Sequence, residues 1–461
     1  MKVLSALIIS AFIFLPSQVF AVKAFPTAVG FGADAIGGRG GNVCYVTTLA
    51  DNLNPGSLRY CLYEVEVPRI VQFKVAGYID LVKPLGATSA DILITHPFVT
   101  IAGQTAPGGG VCIRNGGIAI EAHDVIIRHL CIRPGDDSSG TKPEDRDAFK
   151  IRSYNVILDH VSASFSIDEN ISIWKKNGQP APHHITIQHS MITWGLYNSL
   201  HPKGPHSRGL LIGDHAKQVT VYQNVMAHNN RRNPMVKGDT FDVHIVNNIM
   251  YNWGNLLTTS IGYGTNYSDP EESGPSNSGI VNNYLLKGPN SGDQIIAYDV
   301  ATMDMATRVL LDGNYYSDPT FTDALYIGVF SPVMYTAPWA IPNIPAPFNL
   351  QENARNINLQ ENAVDILLNA GVLYPKRFDL DIRAILDIVG TTGSIINTPS
   401  QAGGYPAIAS GAPFEDADND GIYDLWELVV GLNPANPFDA QAIGPNGYSY
   451  LEEFVNEVAW D

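Results

Sequence analysis

Charge is scarce in this chain, and basic charge is scarcest. Only 16% of the 461 residues are Asp, Glu, Lys or Arg, and 28 basic residues face 45 acidic ones, a formal charge of −17. Binding to phosphate backbones needs clustered cations, so nucleic acid is excluded as a general partner. Cysteine is nearly absent: Cys44, Cys61, Cys112 and Cys131 are all there is. No C-x-x-C pair and no Cys/His cluster occurs among them, which argues against zinc. Beyond the N-terminus no apolar run approaches the ~20 residues that a membrane span needs.

The N-terminus reads MKVLSALIISAFIFLPSQVFA. Lys2, the apolar run Val3 to Leu15 and the small residues around Ala21 follow the order of a secretory signal peptide, cleaved after Ala21. A secreted protein, extracellular or periplasmic, is expected. Export permits disulfides. Four cysteines allow three pairings, and the shortest closures are Cys44–Cys61 and Cys112–Cys131.

Apolar residues and turn formers are plentiful. Hydrophobic residues make up 45%, with 42 Gly and 30 Pro. That suits a large core with many turns. One phrase recurs: DVIIRHLCI (124–132), NVILDHVSA (155–163), HITIQHSMI (184–192), QVTVYQNVMA (218–227) and DVHIVNNIMY (242–251), continued by SGIVNNYLL (278–286) and RVLLDGNYY (308–316). Each has alternating β-branched residues, a polar pair and a second apolar run. The alternation is strand-like. A short strand set that cannot bury its own face must stack on a neighbour, which predicts an all-β parallel β-helix. A β-sandwich explains the strands but not the repeated phrase. His129, His160 and His189 share one phase, followed by Gln223 and Asn247. Asn224, Asn248 and Asn314 share the next. These are expected to be ladders at a bend rather than catalytic groups.

Four segments follow: a signal peptide (1–21), the solenoid (22–320), Pro- and Asn-rich packing segments with a helical stretch NAVDILLNAGVL (321–413), and a tail (414–461). The tail contains DADNDGIYDLWE (416–427). Asp416, Asp418, Asp420, Asp424 and Glu427, with the Ile422 carbonyl and the turn at Gly421, have the spacing of an EF-hand-like calcium loop. A second copy, AIGPNGYSYLEE (442–453), keeps Asn446, Gly447 and Glu453 but lacks the early carboxylates. The tail is expected to be a separable calcium module.

The loops of the repeat carry the chemistry. Asp145 and Asp147 in EDRDAFKI are two apart, so on a strand they would share a side. Asp168 and Glu169 come one coil later, and coils stack ~5 Å apart. Crowded carboxylates call for a cation, and oxygen-only ligands suit calcium. Arg208, Arg231, Arg232 and Lys237 follow in later coils. Cations beside a calcium cluster make a groove for a polyanion.

At these residues the chain resembles the pectate lyases of polysaccharide lyase family 1. The likeness covers roughly 24–320 and rests on GFGADAIGGRGG, PGSLRY, VTIAGQTAPGGGVCI, VIIRHLCIRPGD, DRDAFKI, NVILDHVSASFSIDENI, LLIG and RRNPMVKG in that order. It implies a right-handed solenoid, dependence on Ca2+ and β-elimination of polygalacturonate, the de-esterified pectin polysaccharide, by a monomer. By the same resemblance Asp145, Asp147 and Asp168 match calcium ligands, and Arg232, two before Pro234, matches the catalytic arginine. Arg208 and Lys237 match substrate-binding cations. The family's fourth ligand is acidic, whereas this chain has Ser172; Glu169 or a substrate carboxylate could supply the charge. An arginine base is awkward because guanidinium normally titrates above ~12, and neighbouring positive charge would lower it. Alternatives on the same architecture are a pectin lyase, a polygalacturonase using Asp136 and Asp137, or a non-catalytic glycan-binding protein.

Overall fold

The repeated phrases fold as strands that pair only with their counterparts one turn away. The structure is a computed structural model and describes residues 22–176, 178–213, 215–254, 259–263, 276–292, 296–298, 308–317 and 359–457. The expected signal peptide and all of 321–358 lie outside the described residues. Among the described residues the strands form three sheets of ten, nine and eight members, and every pair of neighbouring strands within them is parallel. Each turn visits the three sheets in order, as in Tyr154–Asp159, Ser162–Ser164 and Glu169–Ile173. This is a parallel β-helix.

Alternation becomes stacking. Val125, Val156, Ile185, Val219 and Val243 are register partners on successive turns, and all are fully buried. Ile127, Leu158, Ile187, Val221 and Ile245 form a second column. Each such side chain contributes about 1.5–3 kcal/mol through burial, and cutting one such as Leu158 to Ala would cost about 2–5 kcal/mol.

The bend between the ten- and nine-stranded sheets is made by one residue in the left-handed region. His129, His160, His189, Gln223 and Asn247 have φ between 46 and 56°, a conformation that Asn and His tolerate better than branched residues. The three histidine rings stack at 4.8 and 4.9 Å. One position on, Asn248 Oδ1 accepts from the Asn224 backbone N–H and Asn283 Oδ1 from that of Asn248, each at 2.9 Å. These are the ladders that the repeat implied, with Asn283 joining them.

The chain covers its own outer faces. GFGADAIGGRGG lies flat on the ten-stranded sheet, where Gly32 donates to Thr186 Oγ1 at 2.9 Å. A Cβ on Gly32 would come 2.4 Å from the Val156 carbonyl oxygen, so only glycine permits this approach. The tail covers the early part of the same sheet through Ile422, Ala440, Leu451, Phe454 and Val455 against Ile70 and Ala102. Helices Leu359–Asn369 and Asp379–Gly390 lie on the nine-stranded sheet, with Ile366, Leu380 and Ala384 against Phe165, Met191 and Trp194. Both expected disulfides are formed, Cys44–Cys61 and Cys112–Cys131. The second joins register partners in adjacent coils. No helix among the described residues is long and apolar enough to cross a membrane.

Candidate active site

The eight-stranded sheet turns its polar face outward. Phe149, Ile151, Ile171, Ile173, Leu210 and Ile212 point into the solenoid and are fully buried. Between them Lys150, Ser172 and Leu211 form an outward row in register. That row floors an open cleft of about 420 Å³. Five carboxylates and six Lys or Arg residues line it, so the scarce cations of this acidic chain are concentrated here.

Three of the carboxylates meet. Asp147, Asp168 and Glu169 each offer an oxygen, all within 4.8 Å of one another. Asp147 is buried; Ser172 Oγ donates to its Oδ2 at 2.6 Å and the Glu169 N–H to its Oδ1 at 3.1 Å. Burial pushes the Asp147 carboxyl up to about 7, with Lys150 opposing and Asp168 adding to the rise. Lys150 is itself buried in an ion pair with Asp91 at 2.6 Å. Asp168 faces His206 at 3.5 Å, Arg208 at 3.5 Å and His201 at 3.7 Å.

The cations arrive from the next two coils. Arg208 begins the strand Arg208–Ile212 and lies 3.4 Å from Glu169. Arg232 donates to the same Glu169 carboxylate. The Leu210 N–H donates to the Arg232 carbonyl at 2.7 Å and the Gly209 N–H to that of Arg231 at 3.0 Å. The arginine backbones are thus fastened to that strand. Arg232 lines the cleft and Arg231 does not. Lys237 ends the strand Met235–Lys237, with Nζ 4.4 Å from the Trp174 ring centre, a cation–π contact.

Asp145 stands apart from this group. The segment Pro143–Asp145 is a 3-10 turn, not a strand, so the two-residue spacing does not put Asp145 and Asp147 on one side. The Asp145 carboxylate is half exposed at the cleft rim and pairs with Lys142 at 2.9 Å. Sequence reasoning also missed Lys150, Trp174, His201 and His206. Lys150 had a signal, because it sits between the apolar Phe149 and Ile151 of one strand. The histidines had none. Asp136 and Asp137 line a separate cavity with Asp80, Arg114 and Tyr405.

The tail holds the other acidic group. Asp416, Asp418 and Asp420 approach one another, and so do Asp420, Glu427 and Asp439. Asp416 accepts from the Tyr45 hydroxyl and pairs with Lys74 at 3.3 Å. Asp420 Oδ1 accepts from the Ile422 N–H at 2.9 Å. Asp424 Oδ1 accepts from the Ala417 N–H at 2.8 Å. Burial, reinforced by acidic neighbours, pushes Asp420 up to about 7 and Glu427 up to about 8.

No family model matches the chain. Curated proteins do. "Probable pectate lyase C" of Neosartorya fischeri is 33% identical over 461 residues, covering 99% of both chains. A protein of the same name from Aspergillus fumigatus is 33% identical over 464 residues, again covering 99% of each. Among solved structures, Jun a 1, the major allergen from cedar pollen, is similar with a TM-score of 0.50 at 20% identity, over 75% of this chain and 93% of that one. This last likeness is one of fold.

Proposed function

The chain belongs to the pectate lyases, a family of polysaccharide lyases, and from that membership we propose that it is a secreted, calcium-dependent pectate lyase cleaving polygalacturonate by β-elimination. The catalytic unit is the solenoid of residues 22–320, coiled right-handed and acting as a monomer. The observation that carries the reading is the cleft, where Asp147, Asp168 and Glu169 converge opposite Arg208, Arg232 and Lys237.

The residues fit calcium. Three carboxylates crowd together, one of them buried and pushed up to about 7, and hard oxygen donors suit that ion. Asp147, Asp168 and Glu169 would hold it, with Asp145 at the rim. Glu169 offers the carboxylate that position 172 lacks, while Ser172 orients Asp147. Bound there, calcium would stabilise negative charge developing on a substrate carboxylate.

The protein's own groups do the rest. Arg232, acting as the neutral guanidine after giving up its proton and its bond to Glu169, takes the C5 proton of a galacturonate and becomes the guanidinium. The C5–H electron pair becomes the C4–C5 double bond, the C4–O bond breaks, and the departing oxygen gains a proton from solvent. Arg208 and Lys237 hold neighbouring carboxylates, and the Trp174 face keeps the Lys237 ammonium in place. The product carries a 4,5-unsaturated end.

Ultraviolet absorbance of that conjugated product tests the proposal, on polygalacturonate and on highly methylated pectin, each with and without EGTA. Absorbance should grow on polygalacturonate and stop with EGTA. New reducing ends without absorbance would indicate hydrolysis, a preference for methylated pectin would indicate a pectin lyase, and binding without product a glycan-binding protein.

A further inference from the structure

We propose that the tail binds a calcium ion in a cage that includes Asp439, a residue outside the twelve-residue loop, and that this ion clasps the tail to the early coils of the solenoid. The inference does not depend on the lyase reading. Five carboxylate oxygens carry it. Asp418 Oδ2, Asp420 Oδ2, both oxygens of Glu427 and Asp439 Oδ1 are buried and have no hydrogen-bond partner. The Glu427 side chain is fully buried. A buried carboxylate with neither hydrogen bond nor counter-charge is costly. No Lys or Arg among the described residues pairs with any of these four acids. Asp420, Glu427 and Asp439 bring oxygens within 4.8 Å of one another, so a divalent cation among them would offset repulsion and burial together.

The donor set selects the ion. All donors are oxygen and most are anionic, and one of them is a Glu with both oxygens unengaged. Calcium accepts six to eight such oxygens, bidentate carboxylates included, in flexible geometry, whereas magnesium demands a near-ideal octahedron and keeps its waters. Asp439 takes the part that spacing assigned to Asp424, whose Oδ1 is occupied by the Ala417 N–H. Asp439 is held by the Asn433 N–H on its other oxygen at 3.1 Å. Its neighbour Ala440 packs in the apolar cluster with Ile422 and Leu451. The ion therefore ties the loop and its helix Asp424–Val430 to the chain just before the second copy.

The second copy follows directly and closes on itself. Its Glu453 accepts from the Asn446 N–H at 3.3 Å. Solenoid residues reach the first loop directly, through Tyr45 and Lys74 on Asp416 and Gln72 Nε2 donating to the Gly421 carbonyl at 2.8 Å. Filling the cage would stiffen the docking surface and raise the melting temperature of the whole chain.

Calcium titration calorimetry and thermal melts of the full chain, without substrate, test this. D439N should weaken the tail site about tenfold or more, since ligand charge sets affinity in such loops, and should shrink the rise in Tm that calcium produces. D424N should change either far less. E427Q removes a carboxyl whose burial disfavours the folded state, so it should raise Tm in EGTA yet reduce the gain from calcium. Wild-type affinity in D439N would overturn Asp439 as a ligand. An unchanged calcium stoichiometry and Tm gain in E427Q would overturn the site. If D439N fails to fold, the opposed responses of E427Q in EGTA and calcium still decide.

Discussion

Cleft and tail both crowd carboxylates, yet the inward acids of the tail lack the counter-charge that the cleft has. Asp147, Asp168 and Glu169 lie among Lys150, Arg208, Arg232 and two histidines. Asp418, Asp420, Glu427 and Asp439 have no Lys or Arg paired with them among the described residues, and their inward oxygens are unpartnered. The cleft's ion pairs can be exchanged when a polyanion arrives, because each cation can trade a protein carboxylate for a substrate one. Those four tail acids have no such pair to trade. They suit a resident ion, while the acids of the cleft suit one that shares its ligands with substrate.

The sharpest way to break this comparison is at Arg232. Arg232→Lys keeps the charge but changes reach and donor geometry. kcat should fall by about 10²-fold or more, as for loss of a proton-transferring group, with KM little changed. Arg231→Lys should be mild. Steady-state kinetics showing the reverse would move the base assignment by one residue.

Next comes the carboxylate cluster of the cleft. Asp147→Ala should reduce turnover severely, with partial recovery at high calcium. Asp145→Ala should cost less, because its carboxylate is half exposed and paired with Lys142. Equal losses in rate-against-calcium curves would place both carboxylates on the ion. A smaller effect is expected at Lys237. Lys237→Ala should raise KM several-fold, about 1 kcal/mol of binding, more than it lowers kcat, the pattern of lost uniform binding.

The limiting case of burial without counter-charge is His244, whose effect falls on stability and leaves turnover at neutral pH untouched. His244 is buried against the Phe31 ring at 4.9 Å, and burial alone lowers its pKa from 6.5 to about 4. The folded state resists the proton that the unfolded state accepts. Stability should be full above the unfolded value of 6.5 and fall as pH drops from there towards 4, by roughly 3 kcal/mol at most. His244→Gln should flatten that part of a Tm-against-pH curve. An unchanged slope would show that another group carries it.

Most of the solenoid was legible because its signal is local. Alternation of Val and Ile around a polar pair marks two strands and the bend between them, and the same phrase in seven places implies stacking. The crowding of Asp416, Asp418 and Asp420 was legible for the same reason. The strand assumed for Asp145 and Asp147 is absent because Pro143–Asp145 turns as a 3-10 segment, and a two-residue spacing means one face only on an extended strand. Lys150 was readable from alternation but had no visible partner, since Asp91 is far away in sequence.

The sequence by itself determined the strand phrase, the left-handed bend residues, the acidic loop and the presence of a few cations in an acidic chain. Each depends on backbone preference or burial over a dozen residues or fewer. Only the tertiary structure decided that Glu169 joins Asp147 and Asp168, that Trp174 backs Lys237, and that Asp439 turns towards Glu427. The physical reason is the geometry of a stacked coil. Residues two to three dozen apart become register neighbours, and which side chains meet across them depends on loop lengths and turn types that no local pattern encodes.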